Sequence, residues 1–319
     1  MRAMVMTGTG NPEVLTEQTL PIPEIQNSNQ MLVELKAAAI NPIDTKLRSG
    51  AYPFNGEGSI LGCDGSGIVK SIGSDVTRFK EGDEVYFFYG GIAQFQGNYA
   101  EYILVDEAFA ALKPNNIDFI QAAAYPLVTL TAWEALFDRC HLQTDQTVLI
   151  HAGAGGVGHI AIQLANVCGA KVATTISSQE KAEFVKQLGA DKVINYKESN
   201  FVEETLEWTN ENGVDVVMDN VGNDEILEQS FLTTKYYGDV VTLLMPSNNI
   251  NWQEARMRNL SFSFEVMLSP LLFDLPKAKI HQGKILEQTK EYIEQGNLRS
   301  FARLMFGFYS CDVHERFKG

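Results

Sequence analysis

The chain has 319 residues, 45% of them hydrophobic, and is long enough for two domains because single cores usually stop growing near ~250 residues. Its formal charge of −15, with a sequence pI of about 4.8, surrounds it with a negative potential that disfavours nucleic-acid backbones and anionic lipid as partners. The opening MRAMVMTGTGNPEVL lacks the apolar core of a secretory signal, and no run of ~18 apolar residues follows, so a cytoplasmic protein with no membrane partner is expected. Cys63, Cys140, Cys168 and Cys311 are scattered without a CxxC pair and read as reduced, structural thiols.

Residues 1 to about 125 read as short strands between Gly, Pro and Asn turns, with candidates at 31–38, 67–72, 84–88 and 99–105. From residue 122 the texture changes. Apolar runs at 148–150, 172–176, 193–194, 214–218 and 240–244 alternate with helical segments such as 179–188, the pattern of a buried parallel sheet covered by helices. Residues 250–319 lose that alternation, although 285–295 has helical apolar spacing. The reading is an α/β protein with a β-rich domain over 1–124, to which 256–319 return, and a doubly wound nucleotide-binding domain over 125–255.

The strongest local signal is TVLIHAGAGGVGHIAIQLANVCGAKVATTIS, in which a buried strand runs into Gly153, Gly155 and Gly158 at GxGxxG spacing and a helix opens directly behind. Gly153 is expected to permit the tight turn, Gly155 to let backbone approach a pyrophosphate, and Gly158 to let helix pack on strand. The helix N-terminus adds free N–H groups and partial positive charge for that phosphate. At the end of the second strand an NAD site usually places an acid for the ribose 2′-hydroxyl. This chain has Ser177 and Ser178 there, followed by Lys181, so NADPH is the expected cofactor; Glu180 weakens that choice, and a solvated helix charge is the alternative reading of Lys181.

With these residues in place, the sequence resembles the zinc-independent quinone oxidoreductases, the zeta-crystallin-like branch of the medium-chain dehydrogenase/reductase superfamily. The resemblance spans nearly the whole chain through AAAINPIDTKLRSGAYP, ILGCDGSGIV, SIGSDVTRFKEGDEV, GNYAEY, PLVTLTAWEAL and the glycine loop. It implies a GroES-like catalytic domain, a Rossmann domain and an active cleft between the two. It places Asn41 beside the nicotinamide ribose, Thr129 and Thr131 facing the cofactor, and Gly155, Gly156, Val157 and Gly158 at the pyrophosphate. Ser177, Lys181 and Tyr196 fall at the 2′-phosphate, and Asn220, Val221 and Gly222 pass the ribose and nicotinamide. Tyr52 sits where related enoyl reductases place a tyrosine near the reacting carbon, and the resemblance further implies a homodimer, through nucleotide-domain edges. The family's closing GKIV-like strand is missing after DVHERFKG.

Where zinc-dependent relatives carry a Cys and a His as metal ligands, this chain has Asn41 and Cys63, and it has no four-cysteine lobe. No metal is expected. His151, at the end of a core strand, reads as a packed structural residue, and His141, His159, His281 and His314 form no triad or ligand set. Without zinc the acceptor must already be electrophilic, a quinone or an α,β-unsaturated carbonyl, with Asn41 and Tyr52 as the catalytic candidates. The expectation is NADPH-dependent, metal-independent quinone reduction. An alkenal or enoyl reductase and a non-catalytic NADPH-binding protein are the alternatives.

Overall fold

In a computed structural model of the chain, residues 1–93 and 95–300 and the backbone of 305–307 are described. The readings made above for DVHERFKG, Cys311 and His314 lie outside the described residues. The chain divides into two compact units, Met1–Leu127 with Leu268–Gly296 and Ser300–Gly319, and Val128–Met267 with Asn297–Arg299.

The first unit is the β-rich one. Strands β1 (Arg2–Met6) and β2 (Leu15–Thr19) form an antiparallel pair, and β3 (Gln30–Ala39) precedes helix α1 (Pro42–Ser49). Next come β4 (Asp64–Ile72), β5 (Glu84–Phe88), β6 (Tyr102–Asp106) and β7 (Ala110–Leu112). β3 pairs antiparallel with both β4 and β6, and β4 pairs with β5, β5 with β7. Alternate β3 residues Met31, Val33 and Leu35 are buried with Val69, Val85, Phe87, Ile103 and Val105 in one core, as period-two side-chain placement requires. Gly67 lets β3 and β4 approach, since a Cβ there would lie 2.2 Å from the Glu34 carbonyl oxygen. α1 starts cleanly because Pro42 needs no N–H partner at the first helical position and Asp44, in the first turn, accepts from Asn41 N at 2.7 Å. The strand expected over 99–105 begins only at Tyr102, because Ala100 makes an isolated bridge to Ala3 instead.

α2 (Phe119–Ala123) and α3 (Pro126–Trp133) lead into the second unit. It holds β8 (Thr147–Ile150), α4 (Gly156–Cys168), β9 (Lys171–Ile176), α5 (Gln179–Gln187), β10 (Lys192–Asn195), α6 (Phe201–Trp208) and β11 (Val214–Asp219). α7 (Asp224–Thr233), β12 (Thr234–Thr242), α8 (Gln253–Met257) and β13 (Ser261–Phe264) follow. The six strands are parallel in the order β10-β9-β8-β11-β12-β13, so consecutive strands run outward one way from β8 and then the other. That order is the doubly wound Rossmann arrangement, and its switch point lies beyond the C-terminal ends of β8 and β11. The unit extends past residue 255 to Met267 because β13 adds to the sheet beside β12, whose alternation with α8 is too short to read as a repeat. β12 also starts earlier than the apolar run at 240–244. Thr234 pairs with Val214 and Asp239 with Val216, and the intervening 235–238 bulge out, with Tyr237 at φ 61°.

α9 (Ser269–Leu272), α10 (Pro276–Glu294) and β14 (Met305–Gly307) belong to the first unit, and β14 pairs antiparallel with β3. α10 buries Gln282, Leu286, Thr289 and Ile293 along one face and receives a hydrogen bond at the Leu286 carbonyl from Tyr86 OH, 2.5 Å. It begins well before the apolar spacing at 285–295, because its first two turns are polar. Among the described residues no helix is long and apolar enough to cross a membrane.

Candidate active site

The glycine loop of the second unit divides its glycines by task. Gly153 and Gly158 are buried; a Cβ on Gly153 would stand 2.0 Å from Thr174 Oγ1, and one on Gly158 2.4 Å from the Ala152 carbonyl oxygen. Both positions are set by close packing. The left-handed residue of the turn is Ala152, φ 53°, rather than Gly153, so the expectation that Gly153 serves the turn conformation is corrected: Gly153 makes room for Thr174. Gly155 and Gly156 are exposed, Val157 half-buried. Gly155 is the N-cap of α4 in extended conformation, so the first-turn amides of Gly156, Val157 and Gly158 precede any intrahelical acceptor. A helix start with no side chain over its first turn is a cradle for an anion.

Behind this loop His151 is wholly buried. Ser230 gives its proton to the Ile226 carbonyl, 2.7 Å, so its oxygen accepts from His151 Nε2 at 2.9 Å. His151 Nδ1 is then the acceptor for Thr175 Oγ1, 3.2 Å, whose oxygen in turn accepts from Ala152 N at 3.1 Å. Burial pushes the imidazole down to about 4 against the opposing pull of Asp219, so it is neutral and structural. The loop after β11 is fixed by the same neighbourhood. Asp219, fully buried, accepts from Val221 N at 2.9 Å, Gly222 N at 3.1 Å and Thr242 Oγ1 at 2.9 Å. Gly222 takes φ 69° against Leu244, whose Cβ a side chain at 222 would meet at 2.5 Å. Asn220 Nδ2 donates to the His151 carbonyl, 2.9 Å, which joins this loop to the end of β8.

Asn220 Oδ1 and, on α3, Thr129 Oγ1 are buried without a hydrogen-bond partner, as are His159 Nε2 and Thr205 Oγ1 of the same unit. Buried polar atoms are rarely left so, and a polar ligand would satisfy them. Thr131 is buried two residues further along α3. At the end of β9, Lys181 Nζ donates to Ser177 Oγ at 3.0 Å, and Ser178 Oγ caps α5 by accepting from Lys181 N at 3.4 Å. Tyr196 joins them because its N–H bonds the Ile176 carbonyl, 3.1 Å, and its ring is 53% exposed. A hydroxyl and an ammonium thus meet at one strand end, with Tyr196 beside them in the chain's fold, a donor pair that suits a phosphate monoester.

In the β-rich unit Asn41 is buried in a cluster of acids. Its Nδ2 donates to Asp64 Oδ2 at 2.9 Å, and Asp64 Oδ1 accepts from Leu127 N at 2.9 Å. Asp44 accepts from Asn41 N, from Tyr99 OH at 3.0 Å and from Gly62 N at 3.2 Å. Burial pushes Asp64 up to about 8 and Asp44 to about 6, against the hydrogen bonds each accepts; it also raises the Cys63 thiol well above its usual range, with both carboxylates adding to the effect. The cluster does not fit catalytic zinc. The Asn41 amide nitrogen is no metal ligand, and among the described residues no three His, Cys, Asp or Glu side chains are grouped to hold a metal. Tyr52, 36% exposed, has Lys46 Nζ 5.2 Å from its ring centroid.

The sequence reading missed Asp44, Tyr99 and Asp219. The NPxD spacing signals the first as a helix-start carboxylate, whereas Tyr99 and Asp219 are fastened by partners distant in sequence.

Two family patterns match the chain, the alcohol dehydrogenase GroES-like domain over residues 27–115 and zinc-binding dehydrogenase over 156–268. A zinc-type alcohol dehydrogenase-like protein of Staphylococcus aureus (strain COL) is 33% identical over 306 residues, 93% of this chain and 87% of that protein. The chain belongs to the medium-chain dehydrogenase/reductase superfamily. Its place is the quinone-oxidoreductase-like branch. The Escherichia coli quinone oxidoreductase, solved in complex with NADPH, has a TM-score of 0.82 at 31% identity, over 95% of this chain and 90% of that one. An Arabidopsis thaliana chloroplastic NADPH-dependent alkenal/one oxidoreductase is 39% identical over 252 residues, 76% of this chain and 62% of that protein. This dehydrogenase/reductase is therefore a nucleotide-dependent oxidoreductase.

Proposed function

We propose that this chain reduces quinones with NADPH and uses no metal in doing so. The observation that carries the cofactor choice is the Lys181 Nζ to Ser177 Oγ contact at the end of β9, with the Tyr196 backbone beside it and no acid in the place of the usual ribose-binding carboxylate. Lys181 neutralises a 2′-phosphate, Ser177 and Tyr196 donate to it, and the amides of Gly156 and Val157 bind the pyrophosphate. Thr129 Oγ1 and Asn220 Oδ1 supply the buried hydrogen-bond sites for the nicotinamide half, with Thr131, Val221 and Gly222 along its path. NADPH, when bound, supplies hydride.

On the β-rich unit, resemblance assigns Asn41 to holding the cofactor and Tyr52 to a hydrogen bond, or a proton, for the acceptor oxygen. The donor set at Asn41 and Cys63 supports metal-free reduction, in which the acceptor's own electrophilicity drives the reaction. A second reading, reduction of α,β-unsaturated carbonyls, draws on the 39% identity to the alkenal/one oxidoreductase. Nicotinamide oxidation with NADPH and NADH in parallel, on a simple quinone and a simple enal, with and without chelator, tests all of this. Chelator-resistant turnover favouring NADPH, and a rise of about tenfold or more in the NADPH KM for Lys181→Ala with the NADH KM unmoved, is expected. Equal use of both cofactors would overturn the NADPH assignment; faster turnover of the enal would select the second reading. Cofactor binding without turnover on either acceptor would make this a binding protein.

A further inference from the structure

An asparagine side chain has two nearly isosteric ends, one an acceptor and one a pair of donors, and rotation by half a turn exchanges them at almost no steric cost. Which end faces outward is therefore decided by what the other end meets. Asn41 Nδ2 meets Asp64 Oδ2 at 2.9 Å, and that oxygen is held in place because Asp64 Oδ1 accepts from Leu127 N at 2.9 Å. The backbone of Asn41 is fixed independently through its N–H to Asp44, which Tyr99 and Gly62 N hold in turn. Asn41 is 6% exposed, Asp64 1% and Asp44 0%, so water does not compete for these bonds. Two carboxyl groups in one dry cluster are costly to bury, and an apolar side chain at 64 would avoid that cost; burial holds Asp64 protonated up to about 8, and once pH exceeds that value both its oxygens are acceptors only and the orientation of the Asn41 amide is forced.

We propose that Asp64 is a positioning residue, which turns the Asn41 amide nitrogen inward and so leaves its carbonyl oxygen as the acceptor that this residue offers to the cofactor. The proposal rests on the reading of Asn41 as a cofactor-binding residue and adds which end of the amide does the binding. In Asp64→Asn the new amide must keep its oxygen on Leu127 N, which points its nitrogen at Asn41 Nδ2. Two donors then face each other, and the relief is rotation of Asn41 with loss of the outward acceptor. Exchanging the two side chains, Asn41→Asp together with Asp64→Asn, restores a donor-to-acceptor contact between 64 and 41 and again leaves an oxygen outward.

The test is NADPH affinity of the full chain by fluorescence titration without acceptor, at a pH above 8 where Asp64 is ionised, with Tm measured alongside, for Asn41→Ala, Asp64→Asn and the exchange. About tenfold weaker binding is expected for each single variant, and a return to within about threefold of the wild type for the exchange. Wild-type affinity in Asn41→Ala would remove the reading of Asn41, and the proposal with it. Weak binding in Asn41→Ala with wild-type affinity in Asp64→Asn would overturn the proposal alone. So would an exchange variant as weak as Asp64→Asn, which would make Asp64 a merely structural acid. Should Asp64→Asn not fold, the exchange decides: recovered affinity supports the positioning role, and affinity as low as that of Asn41→Ala overturns it.

Discussion

His151 carries a proton inventory that pH can read. Its Nε2–H is given to Ser230, its Nδ1 accepts from Thr175, and a second proton would have no acceptor in that arrangement. An unfolded chain takes up a proton near the ordinary histidine value of 6.5, the folded chain only at about 4. Between these values the unfolded state binds more protons, so stability rises with pH, and the contribution is lost as pH falls through the window. At 1.36 kcal/mol per pKa unit the loss is at most about 3 kcal/mol. Asp64 and Asp44 act with the opposite sign. Their folded pKa values are raised, so they favour the folded state in acid and cease to as pH rises through about 6 and about 8. The histidine part is isolated by difference: denaturant unfolding of wild type and His151→Gln between pH 4 and 7 should show the gap between the two narrowing as pH falls. A constant gap would mean that His151 is not the titrating group.

At the scale of the element, the turn from β8 into α4 separates packing from binding. Gly153→Ala drives a methyl into Thr174, whose hydroxyl bonds the Ile150 carbonyl at 2.7 Å, and should cost about 1–3 kcal/mol of stability. Gly156→Ala meets only Val128 Cγ1 at 3.5 Å and gains helix propensity, so Tm should hold or rise while dinucleotide affinity falls. Thermal melts and cofactor titration of the two variants give opposite orderings; a parallel loss in both would refute the division. This loop and the parallel strands around it were legible because glycine spacing, a buried strand and a helix follow one another within a few dozen residues. The Asn41 cluster was not, because Asp64, Tyr99 and Leu127 come to Asn41 only through antiparallel pairing and the start of α3. Asp219 was equally hidden, its partner Thr242 lying on the next strand. The start of α10 escaped because Lys277, Lys279 and Lys284 dilute the apolar spacing of its first turns. Ala152 in a left-handed turn just before four glycines has no sequence signature at all.

For the whole molecule the open question is how the parallel sheet of the second unit ends. Among the described residues β13 is its outer strand beside β12, and Phe264 and Val266, at and just beyond its end, are 44% and 52% exposed. A strand with an unpaired ladder and apolar side chains at its rim is a template for another strand unless something covers it. A second copy of the same edge, related by a two-fold axis, would pair antiparallel with β13 and extend the two sheets into one, the arrangement that isologous association of identical chains favours. We therefore expect a homodimer through this edge. Sedimentation at micromolar concentration should give twice the 35.4 kDa of the single chain, and Val266→Lys, which places a charge beside its own symmetry mate, should shift the population to the monomer. A wild-type chain that sediments as a monomer would refute the dimer. A Val266→Lys variant that stays dimeric would move the interface elsewhere on the molecule.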